Sequence, residues 1–367
     1  MKCKLEEICL FRMEKTNVAN LTTKTYISTE NMLPNKSGIV NATSLPTVNL
    51  TQAFENGDVL VSNIRPYFKK IWKARINGGC SNDVLVFVAK KDIDSDFLYY
   101  VLADDAFFAY AMATSKGTKM PRGDKKSIMQ YEVPCYDVET QQKIASILKS
   151  IDEKIELNNA INNNLLQQAE ALFKKRFLSC NELPFGWARM ALGDISDMSA
   201  GGDKPQIISN QKTEEHHYPV YSNGISDEGL YGFTNDYKIS AESVTVSARG
   251  TIGFVCLRHI PYTPIVRLVT LVPHTNIVSA KYLYLWLKSV PIHGTGTTQQ
   301  QLTVPDFRKT EILIPPKADM REFTETVNSL FQQVWANQEE NAKLAEIRDT
   351  LLPRLMSGEL DVSSIEI

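Results

Sequence analysis

The sequence of 367 residues lacks the motifs of several large enzyme classes. It has no GxxxxGK(S/T) loop, which argues against a helicase or P-loop ATPase, and neither a GxSxG elbow nor an HExxH motif. The glycine motif and the (Asn/Asp)-Pro-Pro-aromatic motif of adenine methyltransferases are absent, since IPPK at 314–317 does not fit the second. Pro305 and Asp306 lack the partner that a PD…(D/E)xK nuclease needs. We therefore expect no catalysis by this chain alone.

Metal-binding patterns and long apolar runs are missing as well. None of the six cysteines forms a CxxC pair, and no Cys/His cluster has zinc spacing. No stretch approaches the about 20 consecutive apolar residues of a membrane span, and residues 1–7 lack the apolar region of a signal peptide. We expect a cytoplasmic protein with free, mostly buried thiols. Its net charge of −2 excludes a uniformly basic nucleic-acid coat but leaves room for local basic patches.

What the sequence does contain is an internal repeat, with an offset between 179 and 185 residues. DVLVSNIR at 58–65 parallels ESVTVSAR at 242–249, and FLYYVL at 97–102 parallels YLYLWL at 282–287. In each half, short β-rich runs come first and a long helical segment follows. A period of half the chain indicates two homologous modules in tandem rather than a solenoid.

The two helical segments, near 141–176 and 320–352, have apolar residues spaced alternately by four and three. This period of about 3.5 residues is that of a coiled coil. Asp319, with Glu322 three residues on, predicts a capping box for the second helix. Pro353 predicts that this helix ends or kinks there.

Asparagines occupy heptad a and d positions at the middle of both predicted helices. If the helices pair antiparallel about their midpoints, Asn158 faces Asn341 and Asn162 faces Asn337. Buried asparagines cost stability but fix register, so the matched positions favour a register role over a merely wet patch. The β-rich runs and the helical segments together predict an α+β fold. The antiparallel pairing predicts pseudo-two-fold symmetry between its halves. Helices of ~54 Å could then space two DNA-reading modules.

Two basic stretches in the first half are candidate DNA-binding surfaces. Residues 62–75 contain five cations and no acid, interleaved with three aromatic residues, and residues 116–126 contain five cations and one acid. Basic groups neutralise phosphates while aromatic side chains pack or stack; a solvated, lysine-rich loop is the alternative for each. The candidates here are Arg65, Tyr67, Lys69, Lys70, Lys73, Arg75, Lys116, Thr118, Lys119 and Arg122.

The candidates in the second half are mostly uncharged hydrogen-bonding residues. Residues 295–301 read TGTTQQQ; glutamine can bond adenine in a bidentate way and threonine can reach phosphate or a thymine methyl. A flexible surface loop is the alternative. Ser222-Asn223-Gly224, which also fits a turn, and Arg249-Gly250 are further candidates. The predicted contacts in this half are Asn223, Arg249, Thr297, Thr298, Gln299 and Gln300.

Together these features resemble the specificity subunit of type I restriction–modification systems, over essentially the whole chain. The resemblance rests on the tandem halves and on four short motifs, namely TQQKIA at 140–145, IDEKI at 151–155, LPFGW at 183–187 and LLPRLMSGEL at 351–360. It implies target-recognition domains at 1–140 and 178–318, spacer helices at 141–177 and 319–356, and a C-terminal tail at 357–367.

The resemblance also implies a non-catalytic subunit that reads a bipartite double-stranded DNA target, with one half-site per domain. It implies that two methyltransferase (modification) subunits dock on the helices and that restriction (motor and nuclease) subunits join the larger complex. S-adenosylmethionine for adenine N6 methylation, ATP and magnesium would be bound by those partners. The residues themselves leave two alternatives open: a standalone nuclease with a diverged active site, and a coiled-coil scaffold that binds only protein.

Overall fold

A computed structural model describes residues 2–179, 185–294 and 300–363. The fold is α+β, with the helices and strands given below. The chain divides into two compact units, the first formed by Met1–Asn158 with Glu339–Ile367 and the second by Asn159–Gln338. Each unit therefore contains one of the two tandem modules together with part of each long helix.

In the first unit a fully buried strand lies inside one of two four-stranded sheets. The strands are β1 (Lys2–Lys4), β2 (Cys9–Phe11), β3 (Lys15–Asn17), β4 (Tyr26–Ile27), β5 (Leu50–Phe54), β6 (Val59–Ser62), β7 (Ile71–Lys73), β8 (Gly78–Cys80), β9 (Val84–Ala89) and β10 (Glu132–Pro134). They form sheets in the orders β2-β9-β6-β7 and β3-β5-β8-β4, and the pair β1-β10. The β6 sequence VLVS is buried throughout and pairs antiparallel with β7 and β9, as a central β-branched strand should.

Helices cover this sheet and close the first core. They are α1 (Leu5–Ile8), α2 (Ser95–Ala103), α3 (Asp105–Ala113), α4 (Lys125–Met129) and α5 (Val138–Phe177), with 3-10 turns at Val18–Asn20 and Pro66–Phe68. Asp94 and Asp104 cap α2 and α3, each accepting a hydrogen bond from a first-turn N–H. The core joins Phe87 of the sheet and Phe97 of α2 to Leu148 of α5.

The second unit repeats this internal order. Its strands are β11 (Ala188–Ala191), β12 (Ser196–Ala200), β13 (Tyr218–Tyr221), β14 (Leu230–Thr234), β15 (Ser243–Val246), β16 (Val255–Arg258), β17 (Thr263–Pro264), β18 (Val269–Pro273) and β19 (Glu311–Ile314). The sheet orders are β12-β18-β15-β16 and β14-β13-β17, with the pair β11-β19. Buried β15 is central, as β6 is in the first unit. The helices are α6 (Leu192–Ile195), α7 (Ala280–Ser289), α8 (Val304–Phe307) and α9 (Lys317–Ser357), with a 3-10 turn at Ser226–Gly229.

Asparagines of the two long helices contact each other within each unit. In the first unit, Asn158 Nδ2 donates to Asn341 Oδ1 at 2.9 Å. In the second unit, Asn337 Nδ2 donates to Asn162 Oδ1 at 2.8 Å. These are the two contacts that the matched heptad positions predict; that they set the register stays a prediction.

The predicted capping box of α9 and a helix end at Pro353 were both wrong, while a kink at Pro353 stays a prediction. The helix begins at Lys317, so Asp319 lies inside the first turn and forms no capping box with Glu322. Both carboxylates instead accept hydrogen bonds from Arg176 of α5, at 3.1 and 2.8 Å. At the other end, α9 continues past Pro353 to Ser357. Because residues beyond the proline, such as Leu355, are buried in the first core, their packing offsets the lost helical hydrogen bond.

Candidate nucleic-acid interface

The two basic stretches predicted as DNA-binding are neighbours in the first unit. Ile64 forms an antiparallel bridge with Arg122. The backbone N–H of Arg65 donates to the carbonyl of Pro121 at 2.8 Å. Because backbone hydrogen bonds join the stretches, their exposed side chains form one continuous surface rather than two separate loops.

A third loop, which the sequence analysis missed, joins this surface. The N–H groups of Asn35 and Lys36 donate to the carbonyls of Phe68 and Lys69 at 2.8 and 2.9 Å. Asp105 binds the Lys36 and Lys69 ammonium groups at 2.9 and 2.7 Å; burial opposes ionisation, but these lysines lower the pKa of Asp105. The composition PNKSG at 34–38 is typical of a turn and is the only local signal that could have drawn attention to it.

The three loops, 33–38, 63–70 and 116–126, are strongly basic. They contain nine lysines and arginines and a single aspartate. Even with Asp83 and Asp105 bound at their margins, the surface keeps an excess of positive charge. Such an excess suits a phosphate backbone, because each phosphate contact releases counterions.

Six of the predicted residues are exposed on this surface, and four of them take part in no ion pair among the residues that the structure describes. Arg65, Thr118 and Lys119 are exposed, and within the described ranges no ion pair involves Arg65 or Lys119. Tyr67 is 49% exposed, and its ring lies 4.7 Å from that of Phe68, centroid to centroid. Among the predicted residues of the first unit, these four are placed best to contact a ligand.

Two other predicted cations bind helices instead. Lys73 forms an ion pair with Asp96 of α2. Arg75 forms a bidentate pair with Glu156 of α5, at 2.6 and 2.8 Å. The half-buried contact with α2 favours a structural role for Lys73. Arg75, whose pair with Glu156 is exposed, lies outside the three loops.

Lys116 and Arg122 remain in the interface, in ion pairs. Lys116 pairs with Asp124, and its hydrogen bond holds the pKa of Asp124 at about 2. Arg122 pairs with Asp83 at 3.0 Å. Exposed pairs contribute only about 0–1 kcal/mol, so a phosphate could replace either carboxylate.

Lys70 stands apart from the other lysines of its stretch. Its Nζ donates to the carbonyl of Thr29 at 2.6 Å, and burial lowers the pKa of Lys70. This contact ties the stretch to the segment around residue 29, so that Lys70 is placed to hold the loop rather than to reach a ligand.

In the second unit three basic residues line a groove of about 670 Å³. Lys204, Arg249 and Arg267 line it, with Asp203 as the acidic member. Arg249 Nη2 donates to Gln301 Oε1 at 3.0 Å. Of these residues only Arg249 was predicted; Lys204 and Arg267 stand alone in the sequence, and no local pattern marks them.

The remaining candidates of this unit have different surroundings. The Asn223 side chain donates to the carbonyl of Val266 at 2.6 Å and accepts from the N–H of Ala248 at 2.8 Å. Asn223 therefore ties together the loops that border the groove. Gln300 is exposed. Three predicted residues, Thr297, Thr298 and Gln299, lie outside the described residues.

The two units place different side chains at one equivalent position. Asp124 caps α4 and Thr303 caps α8, each accepting from a first-turn N–H. Two residues before the cap stands Arg122 in the first unit and Gln301 in the second. A cation in one unit and an amide in the other suit different hydrogen-bonding partners.

Neither a metal-ligand cluster nor a membrane-spanning helix lies in the part of the chain that the structure describes. Among residues 2–179, 185–294 and 300–363, no three His, Cys, Asp or Glu residues are grouped to hold a metal ion. Over the same ranges no helix is both long and apolar enough to span a bilayer.

Known proteins are similar to this chain in sequence and in fold. The family model for the type I restriction modification DNA specificity domain matches residues 1–167 and 184–346. The HindI specificity subunit of Haemophilus influenzae is 26% identical over 435 residues, covering 91% of this chain and 94% of the relative. The MjaIX specificity subunit of Methanocaldococcus jannaschii is 26% identical, covering 76% and 72%. A crystal structure of a type I restriction–modification S subunit from M. genitalium has the same fold, with a TM-score of 0.58, 18% identity and coverage of 97% and 96%.

Proposed function

The chain belongs to the family of type I restriction–modification specificity subunits, and we propose that it reads a bipartite DNA target with one half-site per module. The observation that carries this proposal is the basic surface found in both units. At the same repeat position, Arg65 lies on the three-loop surface of the first unit and Arg249 lines the groove of the second. Two separate basic surfaces on one chain suit two separate half-sites.

We further propose that α5 and α9 form an antiparallel coiled coil that sets the gap between half-sites and gives the chain pseudo-two-fold symmetry. The period of about 3.5 residues supports this. So do the asparagine contacts, Asn158 with Asn341 and Asn162 with Asn337. A buried polar layer at the middle of two helices favours one register over its neighbours.

The chemistry is assigned to partner subunits in this proposal. The relatives named above are specificity subunits of restriction enzymes, and we propose that this chain likewise works in the cytoplasm with methyltransferase and restriction subunits. Those partners would bind S-adenosylmethionine, ATP and magnesium. This chain would supply sequence recognition and no catalytic group.

Methylation mapping tests the proposal. The chain is expressed with its modification subunits, and the methylated adenines of the host DNA are sequenced. We expect one motif with two short defined segments separated by a fixed undefined gap. A single uninterrupted motif from an intact complex would contradict the bipartite assignment.

Two further measurements address the alternatives. The purified chain, incubated with DNA and Mg²⁺, is expected to leave the DNA intact; cleavage would support the standalone nuclease. DNA binding by the complex is expected to weaken steeply with salt, because lysine and arginine displace counterions. Binding that is absent at every salt concentration would support the protein-only scaffold.

A further inference from the structure

The first unit contains a half-buried ion pair between the long helices. Arg348 of α9 donates to Asp152 of α5 at 2.8 Å, and the two side chains are only 20% and 23% exposed. The Tyr100 hydroxyl of α2 donates to the other oxygen of Asp152, also at 2.8 Å. Separating such a pair leaves a charge without its partner in a poorly solvated site, which is strongly destabilising.

The second unit contains a different ion-pair cluster between the same two helices. Arg176 of α5 donates to Asp319 at 3.1 Å and to Glu322 at 2.8 Å, both on α9. The guanidinium holds the pKa of Glu322 below its usual range. In this unit the cation is on α5, whereas in the first unit it is on α9.

Repeat symmetry allows each pair to be compared with its counterpart in the other unit. The heptad frames of the helices superimpose at an offset of 179 residues. The counterparts of Asp152 and Arg348 are therefore Phe331 and Ala169. Both belong to the core of the second unit, where they are 2% and 1% exposed. A charged layer in one unit thus corresponds to an apolar layer in the other.

The ion-pair cluster of the second unit likewise has no ion pair at the corresponding positions of the first unit. At the same offset, Arg176 corresponds to Leu355, which is 2% exposed in the first core. Glu322 corresponds to Lys143, and Asp319 to Thr140. The positions that carry complementary charges in the second unit thus carry leucine, lysine and threonine in the first.

The asparagine layers behave differently, because they are identical in both units. Asn158 corresponds to Asn337, and Asn162 to Asn341. An asparagine would therefore meet an asparagine whether α5 paired with α9 or with the α5 of a second copy. These layers favour a register, but they do not distinguish one helix from the other.

We propose that the two ion-pair clusters select pairing of α5 with α9 in one chain over pairing of like helices between two copies. In an antiparallel pair of two α5 helices, Asp152 would face Ala169 of the second copy. Arg176 would face Lys143 there, a like charge. The asparagine layers alone would permit such an exchange of helices, and the ion-pair residues make it unfavourable.

Pairing of two α9 helices is disfavoured in the same way. Arg348 would face Phe331 of the second copy, and Glu322 would lie beside Leu355 there. In the two arrangements, half-buried Asp152 and Arg348 lose the partner that each has on the other long helix, although Arg348 keeps its contact with Asp349. This inference does not depend on DNA binding, so its test and that of the proposed function can fail separately.

The test moves the arginine from one helix to the other. In the exchanged variant, Arg348→Ala is combined with Ala169→Arg, which leaves the composition unchanged but places the partner of Asp152 on α5. We expect the dimer-to-monomer ratio of the full-length chain to rise at least about tenfold over that of the wild type. Size-exclusion chromatography with light scattering measures the ratio, and co-purification of two differently tagged copies verifies the exchange.

The matched control reverses the pair in place. Asp152→Arg with Arg348→Asp keeps complementary charges between α5 and α9, and we expect it to stay monomeric. An exchanged variant that stays monomeric, or a reversed pair that dimerises, overturns the proposal. If the exchanged variant aggregates, Asp152→Arg alone is compared with the reversed pair. Recovery of the monomer by the second change supports the selection, and no recovery overturns it.

Discussion

At the scale of single residues, Arg65 and Arg249 occupy the same repeat position in different surroundings. Arg65 has a left-handed backbone, with φ of 51°, which costs a non-glycine residue roughly 1–2 kcal/mol. The neighbouring cation in the first unit is Arg122, which is bound to Asp83. In the second unit Arg249 itself donates a hydrogen bond to Gln301. Strained conformations cluster at binding sites, and Lys36 and Lys69, which share this backbone conformation, are bound to Asp105. Arg65 is therefore the residue of the first unit whose loss we expect to affect DNA binding most.

Replacing Arg65 with alanine is expected to weaken target binding by about 1–3 kcal/mol and to lower the salt slope by about one. Fluorescence anisotropy of the complex on its target duplex, at several salt concentrations, measures both. Arg75→Gln is the matched control, because Arg75 is bound to Glu156. Equal losses in the two variants would show that the interface extends to Arg75. Arg65→Ala, Lys69→Ala and Lys70→Ala together should weaken binding further.

Asp124 gives a pH-dependent readout of the same surface. The Lys116 hydrogen bond lowers the pKa of Asp124 from the usual 3.8 to about 2. A lowered folded-state pKa means that the contact stabilises the loop above pH 3.8 and is lost as the pH falls through about 2. We expect Lys116→Met to raise this pKa towards 3.8, as measured by an NMR titration of the carboxyl group. An unchanged pKa would show that the contact with Lys116 is not the cause.

At the scale of elements, the long helices follow the sequence prediction closely. The apolar period predicted helices near 141–176 and 320–352, and the structure has Val138–Phe177 and Lys317–Ser357. Their ends were less predictable. Capping and proline rules are local, whereas the burial of residues beyond Pro353 depends on a core that is distant in sequence.

The central asparagines allow a direct test of the register proposal. Asn158→Leu alone is expected to destabilise the chain by about 1–3 kcal/mol. The change removes the hydrogen bond to Asn341 and leaves the Asn341 amide facing an apolar leucine. Adding Asn341→Leu should recover much of that loss, since the facing residues are then both apolar, and Glu340, which also accepts from Asn158 at 2.7 Å, is exposed enough to be solvated instead. Thermal unfolding measures the difference. A double variant less stable than the single one would indicate that these asparagines contribute stability rather than register.

Lengthening both helices tests the spacer proposal. Four residues inserted at the middle of α5 and of α9 add ~6 Å of helix. We expect the gap between half-sites to change while the letters of both half-sites stay the same. Methylome sequencing reads both quantities. Altered letters with an unchanged gap would contradict a spacer role for the helices.

At the scale of the whole molecule, the tandem organisation was readable from the sequence, and the family model matches it twice. The interface was only partly readable. Composition marks a basic stretch but not which cations already have partners, because those partners are remote: Arg75 binds Glu156, 81 residues away, and Arg122 binds Asp83. Residues such as Arg267 reach the second groove only through folding.

Two linked reading units should bind cooperatively. Scrambling either half-site in a target duplex is expected to weaken binding at least about 100-fold, because the second contact is made at a high effective concentration. Anisotropy with singly and doubly scrambled duplexes measures this. If one scrambled half-site left the affinity unchanged, the chain would be reading a single site.

The division of the chain into units also has a consequence for synthesis. The second unit is one continuous segment, Asn159–Gln338, whereas the first needs both Met1–Asn158 and Glu339–Ile367. Leu352, Leu355 and Val362 are part of the first core. The module that leaves the ribosome first therefore completes its core last, after its sister has had the chance to fold. Until then its apolar core residues stay exposed, and we expect chaperones to bind the nascent chain at that stage.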